Sequence, residues 1–307
     1  MTPLALSTKD LFVRAKQGPA FRGIGLEVSV GEALAITSVG SADLSGLLEV
    51  LAGLREPDAG TVRWNRLPAL DVLNDPQSGE VDRYRARRWL RQTNAFVSDS
   101  VALLNNLTVA ENIALPLRYH FNAPENTVRE RTETLLAELE LEAHATERPA
   151  WLSIGVRRRA ALGRALILEP TSLFLDAPIS DIDEESAAIL LSVLAKYSKA
   201  TKMTTVVASF DCRRLLSLVE RVLVIGEGRI VETISGGSLE ETKYFERLHE
   251  LHDAHREIIK TRSAPTADAA PAPTVESTQP EESETSPTPE ANSASDDPPS
   301  PPEQRGN

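Results

Sequence analysis

Apolar and polar positions along the chain fall into short blocks with two different periods. Ala33-Leu34-Ala35-Ile36, SLFLDA at 172–177, TTVVASF at 204–210 and RVLVIGEGRIV at 221–231 are near-continuous apolar runs of strand length. That is the pattern of strands buried on both faces. LFVRA at 11–15, GLEVSV at 25–30 and GTVRW at 60–64 predict further strands. Helical spacing governs ENTVRERTETLLAELELEA at 125–143 and a second stretch at about 155–168, while 79–92 reads as a polar, arginine-rich helix or loop. Strands alternating with helices predict an α/β fold with a largely parallel sheet covered on both faces. Past 236 a broken apolar stripe (Tyr244, Phe245, Leu248, Leu251, Ile258, Ile259) predicts a C-terminal helix to 262, packed on its own domain rather than clasping a partner.

Composition changes that picture mainly at the end of the chain. From Ser263 to Asn307 the sequence is Pro, Ala, Ser, Thr and Glu, with nine acidic residues against Arg305 and ten of the twenty prolines. Such a segment cannot bury enough apolar surface to offset its ordering entropy, so a disordered acidic tail is expected, a solubilising extension more than a docking arm. The net charge of −12 then leaves −4 on residues 1–262, which argues neither for nor against a charged partner; no nucleic-acid partner is expected. No apolar stretch reaches the roughly 18–20 residues of a membrane span, and MTPLALSTKDLFVRAK is not a secretory signal. Cys212 is the single cysteine, which excludes an internal disulfide framework. The expected location is the cytoplasm.

Candidate chemistry begins at TSVGSADLSGLL, residues 37–48. Strand, Gly- and Ser-rich turn, then helix is where backbone N–H groups and a helix N-terminus cradle phosphate. Yet this turn holds an aspartate, Asp43, and the chain has no lysine between Lys16 and Lys196.

The order of several blocks resembles the nucleotide-binding subunit of ABC transporters over about 1–235. The family's Gly-rich loop, LLxxLAGL and PxxGxV stand here as the loop followed by LLEVLAGLREPDAGTV. LTVAENIALPL at 107–117, RRRAALGRALILEP at 157–170, SLFLDAPISDID at 172–183 and ERVLVIGEGRIV at 220–231 match further family blocks in order. PLRYH and the RRRAALGRA helix look most like ATPase subunits of Mce-type lipid transporters. The resemblance implies a P-loop NTPase (RecA-like) core with an antiparallel β subdomain and an inserted helical subdomain at about 95–160. It also implies a transmembrane permease as partner, with the subunit peripheral on the cytoplasmic face of the membrane.

The same resemblance exposes what has changed. The phosphate-binding lysine falls at Leu44, the glycine before it at Asp43 and the loop's first glycine at Ser38, with Gly40, Ser41 and Gly46 completing the loop. Losing a charge-assisted phosphate contact costs about 1.5–3 kcal/mol. An aspartate about 5 Å from a phosphate charge adds roughly 3 kcal/mol at an effective dielectric near 20. Together these are on the order of a thousandfold in affinity. The water-polarising glutamate falls at Ala177, the switch histidine at Phe210 and the Mg²⁺-sensing glutamine at Asp99. Ser45 and Asp176 survive at the Mg²⁺ positions, Ser45 reading better as a local helix cap. The adenine-stacking aromatic has only Phe12 and Phe21 nearby, and the histidines (120, 144, 249, 252, 255) read as solvated surface.

The signature LSGGQ stands as Leu152, Ser153, Ile154, Gly155, Val156. Two readings stay open: a weakened half-site in which Ser153 and Gly155 face a partner's nucleotide while Ile154 crowds it, or an ordinary capped helix. Chemistry has gone and shape has stayed, which predicts a degenerate subunit that binds no nucleotide tightly. ATP and Mg²⁺ would sit at the site of an active ATPase subunit paired with it as a heterodimer. The alternatives are a nucleotide-independent scaffold or regulator with the same fold, and an active ATPase with substitute residues.

Overall fold

In a computed structural model, the described residues are 3–64, 72–75, 77–236, 243–244 and 246–254. The tail, His255, Ile258, Ile259 and Phe245 lie outside them. Strands β1 (Leu4–Val13), β2 (Phe21–Ile24) and β3 (Glu27–Ser29) lead into β4 (Ala33–Val39) and helix α1 (Leu44–Leu51). Then come β5 (Ala59–Arg63), α2 (Glu80–Thr93), β6 (Asn94–Val97), α3 (Val109–Phe121), α4 (Glu125–Glu138) and α5 (Ile154–Leu166). β7 (Ser172–Asp176), α6 (Glu184–Thr201), β8 (Thr204–Ala208), β9 (Arg221–Gly226) and β10 (Arg229–Ser235) complete the order. Residues 243–244 and 246–254 are helical.

Six strands form one sheet in the order β10-β9-β4-β8-β7-β6, parallel except for the β9–β10 hairpin. Alternation along each strand sends side chains to two different cores. Ala33, Ala35, Leu173, Leu175, Val207, Val222 and Val224 join the core shared with α3, α4, α5 and α6. Leu34, Ile36, Phe174, Val206, Leu223 and Ile225 join the core shared with α1 and the smaller antiparallel sheet, in which β2, β3 and β5 all pair with β1. This is the expected α/β arrangement of a P-loop NTPase core with an antiparallel subdomain and a helical layer.

Several sequence expectations shift at their edges. β1 starts seven residues before the expected 11, because Ser7, Thr8, Lys9 and Asp10 break the apolar run although the backbone keeps pairing with β3 and β5. The arginine-rich stretch is helical over Glu80–Thr93. The helix expected over 125–143 stops at Glu138, where Glu140 takes a positive φ of 52°. Asn94–Val97 belong to the large sheet, so within the span expected to be helical from about 95 the first helix begins at Val109, where Thr108 and Glu111 exchange hydrogen bonds as a capping box. α6 was not expected; Asp183 caps it by accepting the Ser186 N–H at 2.7 Å.

The C-terminal helical residues are docked on the large core. Tyr244 is fully buried there, and Leu248 and Leu251 pack beside it. Beside it the Cys212 thiol donates to the Ser209 carbonyl at 3.6 Å; burial pushes the thiol up to about 12, so it stays protonated and unreactive at neutral pH. Tyr244→Ala should cost about 3–5 kcal/mol, measured by urea denaturation of the full chain.

Candidate functional site

The loop between β4 and α1 is built around a carboxylate. Asp43 is the N-cap of α1, its Oδ1 accepting the Gly46 N–H at 2.9 Å and its Oδ2 the Lys16 N–H at 2.8 Å. A negative group at a helix N-terminus is favourable, and this one uses an N–H that an incoming phosphate would need. Gly46 makes room for it: a Cβ there would lie 2.6 Å from Asp43 Oδ2. Gly40 turns the chain at φ +90°, and its carbonyl accepts the Ser38 hydroxyl at 2.9 Å. Ser41 lies under Gly18, so the 16–18 segment covers the loop. Leu44, at the lysine position, is 4 % exposed and has become core.

Ser45 is not the cap that the sequence suggested, because Asp43 takes that position and frees its hydroxyl. Burial raises the Asp176 carboxyl above the usual range; the Ser45 hydroxyl and the Asp99 backbone N–H beside it oppose the shift, and the Asp99 and Glu49 carboxylates add to it. Ser45 and Asp176, the pair at the Mg²⁺ positions, face the same cleft. Among the described residues no group of three or more His, Cys, Asp or Glu is arranged to hold a metal ion.

A cleft of about 230 Å³ lies beside this pair, below the roughly 300–1,000 Å³ of small-molecule pockets. Its lining brings together Leu44, Ser45, Asp99, Asp176, Ala177 and Phe210, with Ser180, Asp181, Ala208 and Ser209. The lining carries three aspartates and no basic residue, a charge balance opposed to that of a polyphosphate. The Phe210 ring is 61 % exposed at the cleft mouth, and its carbonyl accepts the Thr37 hydroxyl at 3.4 Å. Phe21, one of the two candidate base-stacking aromatics, is fully buried in the smaller core, and Phe12 is half-buried on β1.

Sequence reasoning missed one residue here. The Arg158 side chain, only 4 % exposed, donates from Nη2 to Asp99 Oδ1 at 2.8 Å and from Nη1 to the Ala177 carbonyl. It ties together two of the altered positions. In the sequence RRR at 157–159 belongs to a helix pattern, and spacing alone does not say which of the three arginines turns inward.

In the signature segment Ser153 is exposed and caps α5, accepting the Val156 N–H at 3.3 Å. Ile154 packs on the large core. Gly155 is buried where α5 meets α6: a Cβ there would lie 2.3 Å from Ser186 Oγ and 2.7 Å from Asp183 Oδ2. The surface of this segment is therefore Ser153 with Trp151, which is 85 % exposed. Of the histidines expected at the surface, His249 is exposed while His120, His144 and His252 are half-buried, and burial followed by Arg88 and Arg91 lowers the pKa of His120.

These features define an ATP-binding-cassette subunit with an altered site, and comparison with known proteins gives the same class. Residues 21–180 match the family model described as ABC transporter, and the chain belongs to that family. It is 35 % identical over 215 residues to the sulfate/thiosulfate import ATP-binding protein of Caulobacter vibrioides, covering 69 % of this chain and 59 % of that protein. The chain therefore spans less than two thirds of that relative's length. It is 26 % identical over 226 residues to the intermembrane phospholipid transport system ATP-binding protein of Haemophilus influenzae, covering 74 % of this chain and 82 % of the relative. The fold matches a dimeric, post-hydrolysis structure of an ATP-binding cassette bound to ADP and phosphate, with a TM-score of 0.64, 23 % identity and coverage of 75 % and 98 %.

Two results are expected from the site itself. Asp43→Ala should lower stability by about 0.5–2 kcal/mol, the worth of an N-cap. Gly46→Ala should also destabilise, but in the Asp43→Ala background it should become stabilising by up to about 1 kcal/mol, the helix-propensity gain. A double-mutant cycle in urea reads this change of sign. Asp176 has a raised folded pKa, so its share of stability grows as pH falls through that pKa and is absent well above it. Asp176→Asn should be neutral or stabilising at pH 8 and should flatten that part of the pH–stability curve.

Proposed function

We propose that this chain is the catalytically degenerate ATP-binding subunit of an ABC transporter, paired with an active ATPase subunit and coupled to a membrane permease. The observation that carries the reading is the charge of the cleft: three aspartates, no base, and Asp43 on the N–H at the start of α1. A triphosphate meets repulsion where the fold otherwise provides attraction. Nothing replaces the lost glutamate at Ala177 or histidine at Phe210 in that lining. ATP and Mg²⁺ then act at the partner's site, for which Ser153 supplies a hydroxyl as part of the second wall. Exposed Phe210 and Trp151 suit a surface covered in an assembly. The 26 % identity to a phospholipid-transport ATP-binding protein supports a lipid as cargo. Among the described residues no helix is long and apolar enough to cross a membrane, so the permease provides the attachment, on the cytoplasmic face.

The isolated full chain should show no ATP·Mg²⁺ binding by calorimetry at micromolar nucleotide and no turnover. Pulled down through a tag, it should bring a permease and an intact ATPase with it. In that complex Ser153→Glu should lower the ATPase rate at least about tenfold, since hydrogen bonds to charged groups are worth roughly 1.5–3 kcal/mol. Micromolar binding by the chain alone, lost on mutating Ser45, would reverse the reading.

A further inference from the structure

Arg158 lies little more than one helical turn beyond Ser153 on α5, and its guanidinium is turned inward. It reaches Asp99, in the loop after β6, and the carbonyl of Ala177, directly after β7. Two further arginines of the same helix do similar work: Arg164 Nη1 donates to the Ala102 carbonyl at 2.8 Å, and Arg159 Nη1 to the carbonyls of Leu139 at 2.8 Å and Glu140 at 3.0 Å. Ala102, Glu140 and Ala177 all have positive φ, at 43°, 52° and 44°. Non-glycine residues hold that conformation at a cost and only where their surroundings enforce it. Three loops packed on α5, two of which reach the cleft at Asp99 and Ala177, are thus held in costly shapes by its charged donors.

The network continues beyond α5. Asp99, Asp176 and Ser45 line one cleft, with the Asp99 backbone N–H and the Ser45 hydroxyl beside the Asp176 carboxylate. The Arg158 clasp therefore reaches both cleft loops, at Asp99 and at Ala177, and contains no position that an anion has to fill. A buried guanidinium is costly to leave unpaired, so Arg158 and Asp99 are held to each other.

We propose that Arg158 is a positioning residue that clasps α5 to the core and so presents Ser153 ready-ordered while this chain's own cleft holds no nucleotide. The presenting role rests on the reading that Ser153 faces a nucleotide in the partner subunit; the clasp does not. Without the clasp, only a fraction of molecules would hold the signature in the shape that accepts ATP. The apparent affinity would fall by that fraction, while the step at saturation would be unaltered. A residue in the second wall behaves differently, because it touches the nucleotide and changes kcat.

The first arm is hydrogen exchange on the full-length chain without nucleotide, comparing the native protein with Arg158→Gln and with Asp99→Asn. Asp99→Asn changes a side chain that is 57 % exposed and so keeps the test available if Arg158→Gln does not fold. Amides of 156–160 and 99–102 should exchange at least about tenfold faster in Arg158→Gln and less so in Asp99→Asn, with β8 unchanged. The second arm is ATPase kinetics of the complex purified with its permease. Arg158→Gln should raise the KM for ATP about fivefold or more with kcat within about twofold, whereas Ser153→Glu lowers kcat. Unchanged exchange in both variants overturns the proposal. So does faster exchange with an unchanged KM, which would make Arg158 a packing residue. A complex indifferent to Ser153→Glu would sink the partner-site reading and the presenting role with it, and exchange alone would then decide the clasp.

Discussion

The Asp43 carboxylate on the Gly46 N–H is the contact from which the character of this site follows. A helix N-terminus after a glycine-containing turn attracts negative charge, and two kinds can satisfy it: a phosphate from outside or a side chain from within. Here the side chain is within reach at 2.9 Å and is permanently attached. An external anion would have to displace it, losing a cap worth about 0.5–2 kcal/mol, and would then face the carboxylate it had displaced. Gly46 supports the arrangement, since any Cβ at 46 would push the carboxylate away. An apolar Leu44 and an anionic Asp43 therefore act in one direction, against an external anion.

The same closure recurs across the cleft. Asp99 is paired with Arg158, and the Ala177 carbonyl accepts from Arg158 as well, while the Ser45 hydroxyl and the Asp99 N–H lie beside Asp176. Little of this touches the fold's stability, which resides in the two cores on either side of the six-stranded sheet. Leu44 illustrates how a site position passes into one of those cores: once its side chain is apolar it buries to 4 % exposure under the loop. A fold can keep its shape while the site on it is rebuilt.

How much of this was legible depended on whether a segment's pattern had a single reading. β4, β7, β8 and β9 were plain because strands buried on both faces leave unbroken apolar runs. The first half of β1 was not, because Thr8 and Ser7 look like a turn although Thr8 is buried, its hydroxyl donating to Ile24 O and accepting the Leu26 N–H. α2 was ambiguous since five arginines hide a stripe whose buried members are only Ala86 and Leu90. Gly46 and Asp43 were noticed singly, but that they fit one another depends on a 2.6 Å approach that spacing does not encode. Arg158 was invisible for the same reason. Three consecutive arginines look solvated, and only the fold shows that Arg158 and Arg159 are buried while Arg157 is not.

α5 is therefore a two-sided element, and its sides have different chemistry. Inward it sends guanidinium groups to carbonyls and a carboxylate of its own chain, interactions that are strong because they are buried and charge-assisted. Outward, at its first turn, it shows an exposed serine next to an exposed tryptophan. Had the inward contacts required a nucleotide, the outward face would be ordered only when this chain was loaded. Because they use the protein's own charges, the outward face can be ordered whether or not anything is bound. The Arg158 that pairs with Asp99 at the cleft therefore lies on the helix whose first turn carries Ser153 outward.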